Sequence, residues 1–210
     1  MLPAAATLHP WLMADPMPSK RDPRPALLII DMMNRFDFEG GDSLARGALA
    51  VVDDILELRR RHDDAGLPVI YINDNWMHWR GEFSDLVARC RKGSAASSEI
   101  ATRLAPGPGH YHVLKPRQSA FLCSALPVLL EQLRVDSITL CGVATDACIL
   151  ATAIDAHMRE YRIWVPEDGT AAISTERHQA ALKLMALNTS SVTDTIRRSR
   201  TCFPGVDTPR

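Results

Sequence analysis

The sequence of 210 residues has little of what marks membrane proteins, nucleic-acid-binding proteins or nucleotide-binding enzymes. Its apolar runs stay well short of the roughly 18 residues that a transmembrane helix needs. Lys and Arg number 24 against 25 Asp and Glu, so no basic excess is present to hold a phosphate backbone. Neither G-x-G-x-x-G nor G-x-x-x-x-G-K-[ST] occurs, which leaves a nucleotide-binding α/β enzyme without sequence support. We therefore expect no nucleic-acid partner and no membrane partner.

The cysteines form no pattern of a metal site or of a disulfide framework. They are five in number, irregularly spaced, and contain no C-x-x-C pair. The first twenty residues lack a charged segment followed by an apolar one, so we expect no secretory signal and a cytoplasmic location, where thiols stay reduced. Each thiol is then either a small buried side chain or a nucleophile; the five are Cys90, Cys123, Cys141, Cys148 and Cys202.

Composition favours one folded domain preceded by an arm. Hydrophobic residues make up 46% of the chain and charged residues 23%, values typical of a globular domain. Six of the 14 prolines fall within the first 25 residues. This bias predicts an extended arm over residues 1–24 and a single domain over 25–210. The arm either lacks regular structure or docks residues 11–13 on a neighbouring subunit.

From residue 26 onward, short apolar runs alternate with segments of helical periodicity. The continuous apolar run at 26–30 is typical of a strand buried on both faces, whereas 45–65 repeats apolar residues at three- and four-residue spacing. Such alternation predicts a three-layer α/β/α fold with a mostly parallel sheet of about six strands. The other predicted strands are 69–73, 111–114, 137–141, 162–165 and 190–194; the other helices are 97–104, 126–134, 146–160 and 176–187; and 74–95 is predicted to be irregular.

Three reactive side chains follow predicted strands. Asp31 ends the first strand, Lys115 follows the third, and Cys148 comes shortly after the fourth. Open α/β sheets place their sites at the carboxyl ends of the strands, so these groups should converge. Each alone has a simpler explanation, since Asp31 can cap a turn, Lys115 can be a solvated charge and Cys148 a buried apolar side chain. Their joint placement favours a site.

The histidines offer no obvious base for a cysteine nucleophile. His157 is nine residues beyond Cys148, which is about half a turn away around a helix axis. It therefore faces away from the thiol. His110 and His112 precede Lys115 on one face of a strand and can reach a metal, although such an isolated pair is more typical of surface or core polar residues.

Three segments resemble motifs of the isochorismatase-like cysteine hydrolase superfamily. The segment CGVATDACILATAIDAHMREY (141–161) resembles the signature around its cysteine, LLIIDMMNRF (27–36) its first-strand motif, and VLKPRQSAF (113–121) its lysine motif. The resemblance runs from residue 26 to beyond residue 194. The order and spacing of the three motifs are more specific than any one of them.

The resemblance implies a catalytic triad of Asp31, Lys115 and Cys148, without a metal or another cofactor. It further implies a non-proline cis peptide between Val143 and Ala144, and an oxyanion hole formed by the backbone amides of Ala144 and Cys148. The implied activity is hydrolysis of a C–N bond in a small-molecule substrate, an amide, carbamoyl compound or ureide, through a thioester. We also expect a homo-oligomer, either a dimer or a tetramer.

Departures from the family pattern narrow these expectations. Met33 stands where the family commonly has Gln, and Arg35 where it commonly has Asp. A catalytically silent or scaffold protein of the same fold therefore remains the alternative to an active hydrolase. Segment 73–79, NDNWMHW, lacks the histidine of the metal cluster in nicotinamidases, so the chain is placed nearer the metal-independent branches. The presence of Cys148 argues against true isochorismatases, which usually lack it.

Two further expectations concern the substrate and the proton of the thiol. Phe36, Asn75 and Trp76 are predicted to contact the substrate, with core packing as the alternative for the aromatic residues.

Lys115 and the amides at the helix start should favour the thiolate of Cys148, whereas a carboxylate beside the thiol should oppose its ionisation. We therefore expect one proton shared between Asp31 and Cys148.

Overall fold

The computed structural model describes residues 24–205. The arm predicted over residues 1–24 thus lies outside the described residues except for Arg24. Within 24–205, no helix combines the length and the apolar character needed to cross a membrane.

A parallel six-stranded sheet forms the centre of the molecule and confirms the predicted three-layer α/β/α class. The strand order is β3-β2-β1-β4-β5, and β6 pairs with the end of β4. Every residue of β1 is buried, as expected for the central strand of a parallel sheet covered on both faces. The strands are β1 (Pro25–Ile30), β2 (Val69–Asp74), β3 (Tyr111–Lys115), β4 (Ser137–Val143), β5 (Arg162–Trp164) and β6 (Thr170–Ala171).

Helices cover the two faces of the sheet and enclose two hydrophobic cores. The first four helices contribute to one core and the last three to the other. Alternate residues of β1 supply both cores, Leu27 and Ile29 to the first and Leu28 and Ile30 to the second, because successive side chains of a strand point to opposite faces. The helices are α1 (Gly41–Ala50), α2 (Val52–Asp64), α3 (Phe83–Cys90), α4 (Ala95–Arg103), α5 (Leu126–Gln132), α6 (Leu150–Met158) and α7 (Thr175–Asn188).

The structure differs from the predicted elements in three places. The segment 74–95, predicted to be irregular, contains α3, whose apolar residues follow helical spacing behind a capping box of Glu82 and Asp85. The helix predicted over 45–65 is two helices that meet at Val51. The strand predicted at 190–194 is reduced to one bridge between Val192 and Trp164, and the sixth strand is instead β6.

A glycine permits the close approach of β4 to β1 at the carboxyl edge. Gly142 has a φ of +115°, and a Cβ at this position would lie 2.1 Å from the carbonyl oxygen of Ile30. Only a residue without a side chain can occupy this position. The chain can therefore leave β4 directly beside Asp31, the residue that follows β1.

Candidate active site

Asp31 lies where β1 ends, at the carboxyl edge of the sheet. Its backbone has a φ of +56°, and its amide donates to the carbonyl oxygen of Ile72 in β2 at 2.8 Å. Its carboxylate Oδ1 accepts a hydrogen bond of 2.7 Å from the amide of Asp74. The buried carboxylate is therefore held between the ends of two neighbouring strands.

Lys115 is the last residue of β3 and is fully buried. Because β2 separates β3 from β1, the long side chain must cross the end of β2 to reach the carboxylate of Asp31. Its Nζ lies 2.9 Å from Asp31 Oδ2 and 3.4 Å from Cys148 Sγ. It also donates to the carbonyl oxygen of Arg117 at 3.2 Å and to the carboxylate of Asp74. One ammonium therefore links three strand ends.

Cys148 lies in a π-helical turn, Thr145–Ile149, between β4 and α6. The peptide bond between Val143 and Ala144 that precedes this turn is cis, as the resemblance implies. The carbonyl oxygen of Ala144 accepts from the amides of Ala147 and Ile149, at 3.1 and 3.2 Å. These contacts place the buried thiol at the start of the helix.

Thr152 connects this turn to the loop that follows Lys115. Its hydroxyl donates to the carbonyl oxygen of Cys148 at 2.6 Å and accepts from the amide of Ala120 at 3.0 Å. The loop and α6 are joined a second time by a hydrogen bond from Ser119 to Asp155. The turn that holds Cys148 and the loop after Lys115 are thus held to each other by side chains that are themselves largely buried.

The structure brings together the three residues that the sequence singled out, and it adds Asp74. A sulfur or carboxylate oxygen from each of Cys148, Asp31 and Asp74 lies within 4.8 Å of the others. Lys115 Nζ contacts all three groups. Asp74 was missed although it ends β2, and the rule that pointed to the ends of β1, β3 and β4 would have found it.

These three acidic groups also have the composition of a metal site. The donors fit a metal poorly, because the Lys115 ammonium already lies among them and supplies positive charge to each. His110 lies at the opposite, amino-terminal end of β3, where its ring contacts Asp63 and accepts from the amide of Gly107. It is therefore distant from this cluster.

Burial and charge shift the protonation of the cluster. Burial raises the pKa of Asp31 to about 6, Asp74 adds to the rise, and Lys115 opposes both. Burial also raises the pKa of Cys148, as does the charge of Asp31, and the ammonium of Lys115 only partly offsets them. At neutral pH the carboxylate is mostly ionised while the thiol keeps its proton.

Lys115 stays charged despite its burial. Desolvation acts to lower the pKa of this ammonium, but the neighbouring acidic groups, Asp31 foremost, outweigh it and raise the pKa above its usual value. A single proton therefore remains to be exchanged between Asp31 and Cys148, next to a permanent cation.

The three residues predicted to contact the substrate follow Asp31 or Asp74 closely in sequence, but they differ in burial and in their contacts. Phe36 is buried and packs in the core with α1, which favours the packing alternative for its ring. Trp76 is half-buried against the same core. Asn75 is buried, its side-chain oxygen accepts from the amide of Trp79 at 2.9 Å, and its Nδ2 has no hydrogen-bond partner among the described residues.

The comparisons with known proteins agree on one family. The family model of the isochorismatase domain matches residues 25–197. An uncharacterized isochorismatase family protein, YaaI of Bacillus subtilis (strain 168), is 39% identical over 160 residues, which cover 76% of this chain and 87% of that protein. Nicotinamidase 3 of Arabidopsis thaliana is 31% identical over 192 residues, covering 86% of this chain and 92% of its own.

A solved structure gives the same result for the fold. The crystal structure of N-carbamoylsarcosine amidase from Thermoplasma acidophilum superposes with a TM-score of 0.63 at 25% identity, covering 84% of this chain and 99% of that one. The sheet, the cluster at its carboxyl edge and the sequence relatives lead to one assignment: the chain belongs to the isochorismatase family and is an enzyme of its hydrolase type.

Proposed function

We propose that the chain hydrolyses a C–N bond of a small amide, carbamoyl compound or ureide through a thioester on Cys148. The observation that carries this proposal is the buried Cys148 thiol beside the buried carboxylate of Asp31, with the Lys115 ammonium 2.9 Å from that carboxylate and 3.4 Å from the sulfur. A relative named maleamate amidohydrolase, from Pseudomonas putida, is consistent with the bond type.

The first step forms the bond between sulfur and carbon. Asp31 accepts the proton of the Cys148 thiol as the sulfur attacks the carbonyl carbon, and the carbonyl electron pair moves to oxygen. The backbone amides of Ala144 and Cys148 would hold this oxyanion, a contribution typically worth about 3–4 kcal/mol for a strong donor. The Lys115 ammonium stabilises negative charge wherever it resides, on Asp31 or on sulfur.

The second step breaks the C–N bond and then frees the enzyme. Asp31 gives its proton to the leaving nitrogen, which departs as ammonia or an amine and leaves a thioester. Water then attacks the thioester carbon while Asp31 accepts a proton from it. The C–S bond breaks, the acid is released, and the Cys148 sulfur recovers the proton from Asp31. Protons and electron pairs balance without a cofactor.

The alternative, a catalytically silent or scaffold protein, was based on Met33 and Arg35. Met33 is buried in the core and its backbone exchanges two hydrogen bonds of 3.0 Å with the side chain of Asn73. Arg35 pairs instead with Asp37 at 3.0 Å. Both unusual side chains are therefore engaged away from the triad, and the contacts of Lys115 remain complete. This arrangement favours the enzyme.

Release of ammonia from a panel of small amides, carbamoyl compounds and ureides, nicotinamide included, tests the proposal. We expect turnover of at least one class and none by Cys148→Ala. Exhaustive chelation should leave the rate unchanged, because the Lys115 ammonium supplies the positive charge that a metal ion would otherwise supply. Loss of activity on chelation, restored by zinc or manganese, would contradict a reaction that needs no metal ion.

A further inference from the structure

Asp74 is the most exposed member of the charged cluster. Its side chain is 53% exposed, whereas the side chains of Asp31 and Lys115 are 6% and 0% exposed. A reactant that approaches Cys148 must come from the side of the cluster that is open to solvent. The carboxylate of Asp74 is therefore the group of the cluster that is most accessible to such a reactant.

The position of Asp74 is determined by strand pairing. It is the last residue of β2 and pairs in register with Lys115 at the end of β3. Its amide donates to Asp31 at 2.7 Å, and its carboxylate contacts the ammonium of Lys115. These contacts hold a carboxylate oxygen of Asp74 within 4.8 Å of the Cys148 sulfur.

The charges of the cluster do not cancel. With the thiol protonated, the carboxylates of Asp31 and Asp74 and the ammonium of Lys115 sum to one negative charge. The nearby Arg117 is exposed, and its guanidinium donates to the carbonyl oxygen of Pro116. The negative charge of the cluster is closest to solvent at the carboxylate of Asp74, the most exposed of these three groups.

We propose that Asp74 is a specificity-determining residue of the proposed hydrolysis, which repels substrates with a negative charge beside the scissile bond and favours neutral ones that carry N–H donors. This inference rests on the proposed function. Ionised carboxylates accept hydrogen bonds and cannot donate them, so an unsubstituted amide or ureide nitrogen suits Asp74 and a substrate carboxylate does not. The substrate class is then a neutral amide or ureide.

Alkylation of Cys148 by two reagents tests the charge effect without a known substrate. Iodoacetamide and iodoacetate share the same leaving group and differ by one negative charge. Their rate ratio cancels the fraction of thiolate, so it reports the electrostatic field at the sulfur. In Asp74→Asn, the ratio of the iodoacetate rate to the iodoacetamide rate should rise about fivefold. This is the factor for the interaction of two unit charges at about 4 Å even in bulk water.

A matched control removes the same charge elsewhere. Asp64, at the end of α2, is exposed and pairs with Arg60 at 2.6 Å. Asp64→Asn should leave the ratio of the two reagents unchanged. An unchanged ratio in folded Asp74→Asn would overturn the inference. If that variant does not fold, the wild type decides: added salt should speed iodoacetate and not iodoacetamide, and equal responses would overturn the inference.

A pair of substrates separates this inference from the proposed function. We expect the wild type to hydrolyse a neutral amide faster than its carboxylate-bearing analogue, and Asp74→Asn to narrow the gap in kcat/KM. If the wild type hydrolyses neither compound nor any amide of the panel, the proposed function fails, while the alkylation ratio still tests Asp74. If it hydrolyses them with no change of selectivity in Asp74→Asn, only the inference fails.

Discussion

Cys141 and Cys148 are two buried thiols of the same segment with different surroundings. Cys141 lies within β4, fully buried in the first core, where burial raises the pKa of its thiol well above the usual value. Cys148 is also buried and its thiol pKa is also raised, yet Lys115 Nζ lies 3.4 Å from its sulfur. Burial is therefore common to both thiols, and contact with a lysine ammonium distinguishes the second.

The difference arises from where each cysteine stands relative to the strand end. Inside β4 the backbone pairs with β1 on one side and with β5 and β6 on the other, and the side chain of Cys141 belongs to the first hydrophobic core. Beyond the end of β4 the chain turns into a helix, and three other strands end at the same edge with Asp31, Asp74 and Lys115. Polar side chains can meet there because no strand ladder separates them.

Replacing each thiol by alanine gives the largest expected contrast. Cys148→Ala should lower turnover by roughly three orders of magnitude or more while the fold persists, because it removes the proposed nucleophile. Cys141→Ala should keep turnover and lose about 1 kcal/mol of unfolding free energy, because it leaves a small cavity in a packed core. Ammonia release and chemical denaturation measure the two effects. Appreciable turnover by Cys148→Ala would contradict the mechanism.

Removing the cation should make Cys148 more like Cys141. Lys115→Met keeps the apolar stem and leaves the carboxylates of Asp31 and Asp74 without their ammonium, at a cost of about 3–5 kcal/mol in stability. The pKa of the Cys148 thiol should rise further, and each unit of rise lowers the thiolate fraction about tenfold. The measurement is iodoacetamide modification across a pH series, with thermal unfolding to show that the variant is folded.

The same comparison fixes the result that would count against a role for the lysine. Alkylation of Lys115→Met at the wild-type rate at every pH would show that the ammonium does not support the thiolate. Cys141 provides the internal reference, since its modification should stay slow in both proteins.

The pH dependence of turnover gives the smallest and most specific effect. In the proposed mechanism Asp31 must be ionised to accept the thiol proton, and burial raises the pKa of Asp31 to about 6. The value of kcat/KM should therefore fall as pH drops below about 6, by about tenfold per pH unit. This fall is the acidic limb of the pH profile. Asp74→Asn should shift the acidic limb to lower pH, because Asp74 helps to raise the pKa of Asp31. A limb near the ordinary carboxyl pKa in the wild type would contradict the role of burial.

A control is needed because a histidine lies close to the nucleophile turn. His178 Nδ1 is 2.9 Å from the hydroxyl of Thr145, and burial lowers the pKa of His178. His178→Gln should leave the limb in place. If the limb moves with His178 and not with Asp74, the titrating group was assigned to the wrong residue.

The sequence identified much of the site because the rule involved is local. A run of apolar residues with a charged residue or a cysteine at or shortly after its end can be recognised in the sequence alone. Asp31, Lys115 and Cys148 each fit this pattern. The short sixth strand was misplaced because two residues of β6 carry no periodicity of their own. Helix α3 was missed within 74–95, although Phe83, Leu86, Val87 and Cys90 follow helical spacing, because charged residues surround them.

The alternation of apolar runs and helical periods determined the parallel sheet and its two helix layers, since each pattern buries a defined face. Only the tertiary structure decided how the strand ends share their charges. The strand order puts β2 between Lys115 and Asp31, so the lysine must cross Asp74 and pair with it as well. The order of strands and the exposure of Asp74 depend on packing between distant segments, and no local pattern in the chain encodes them.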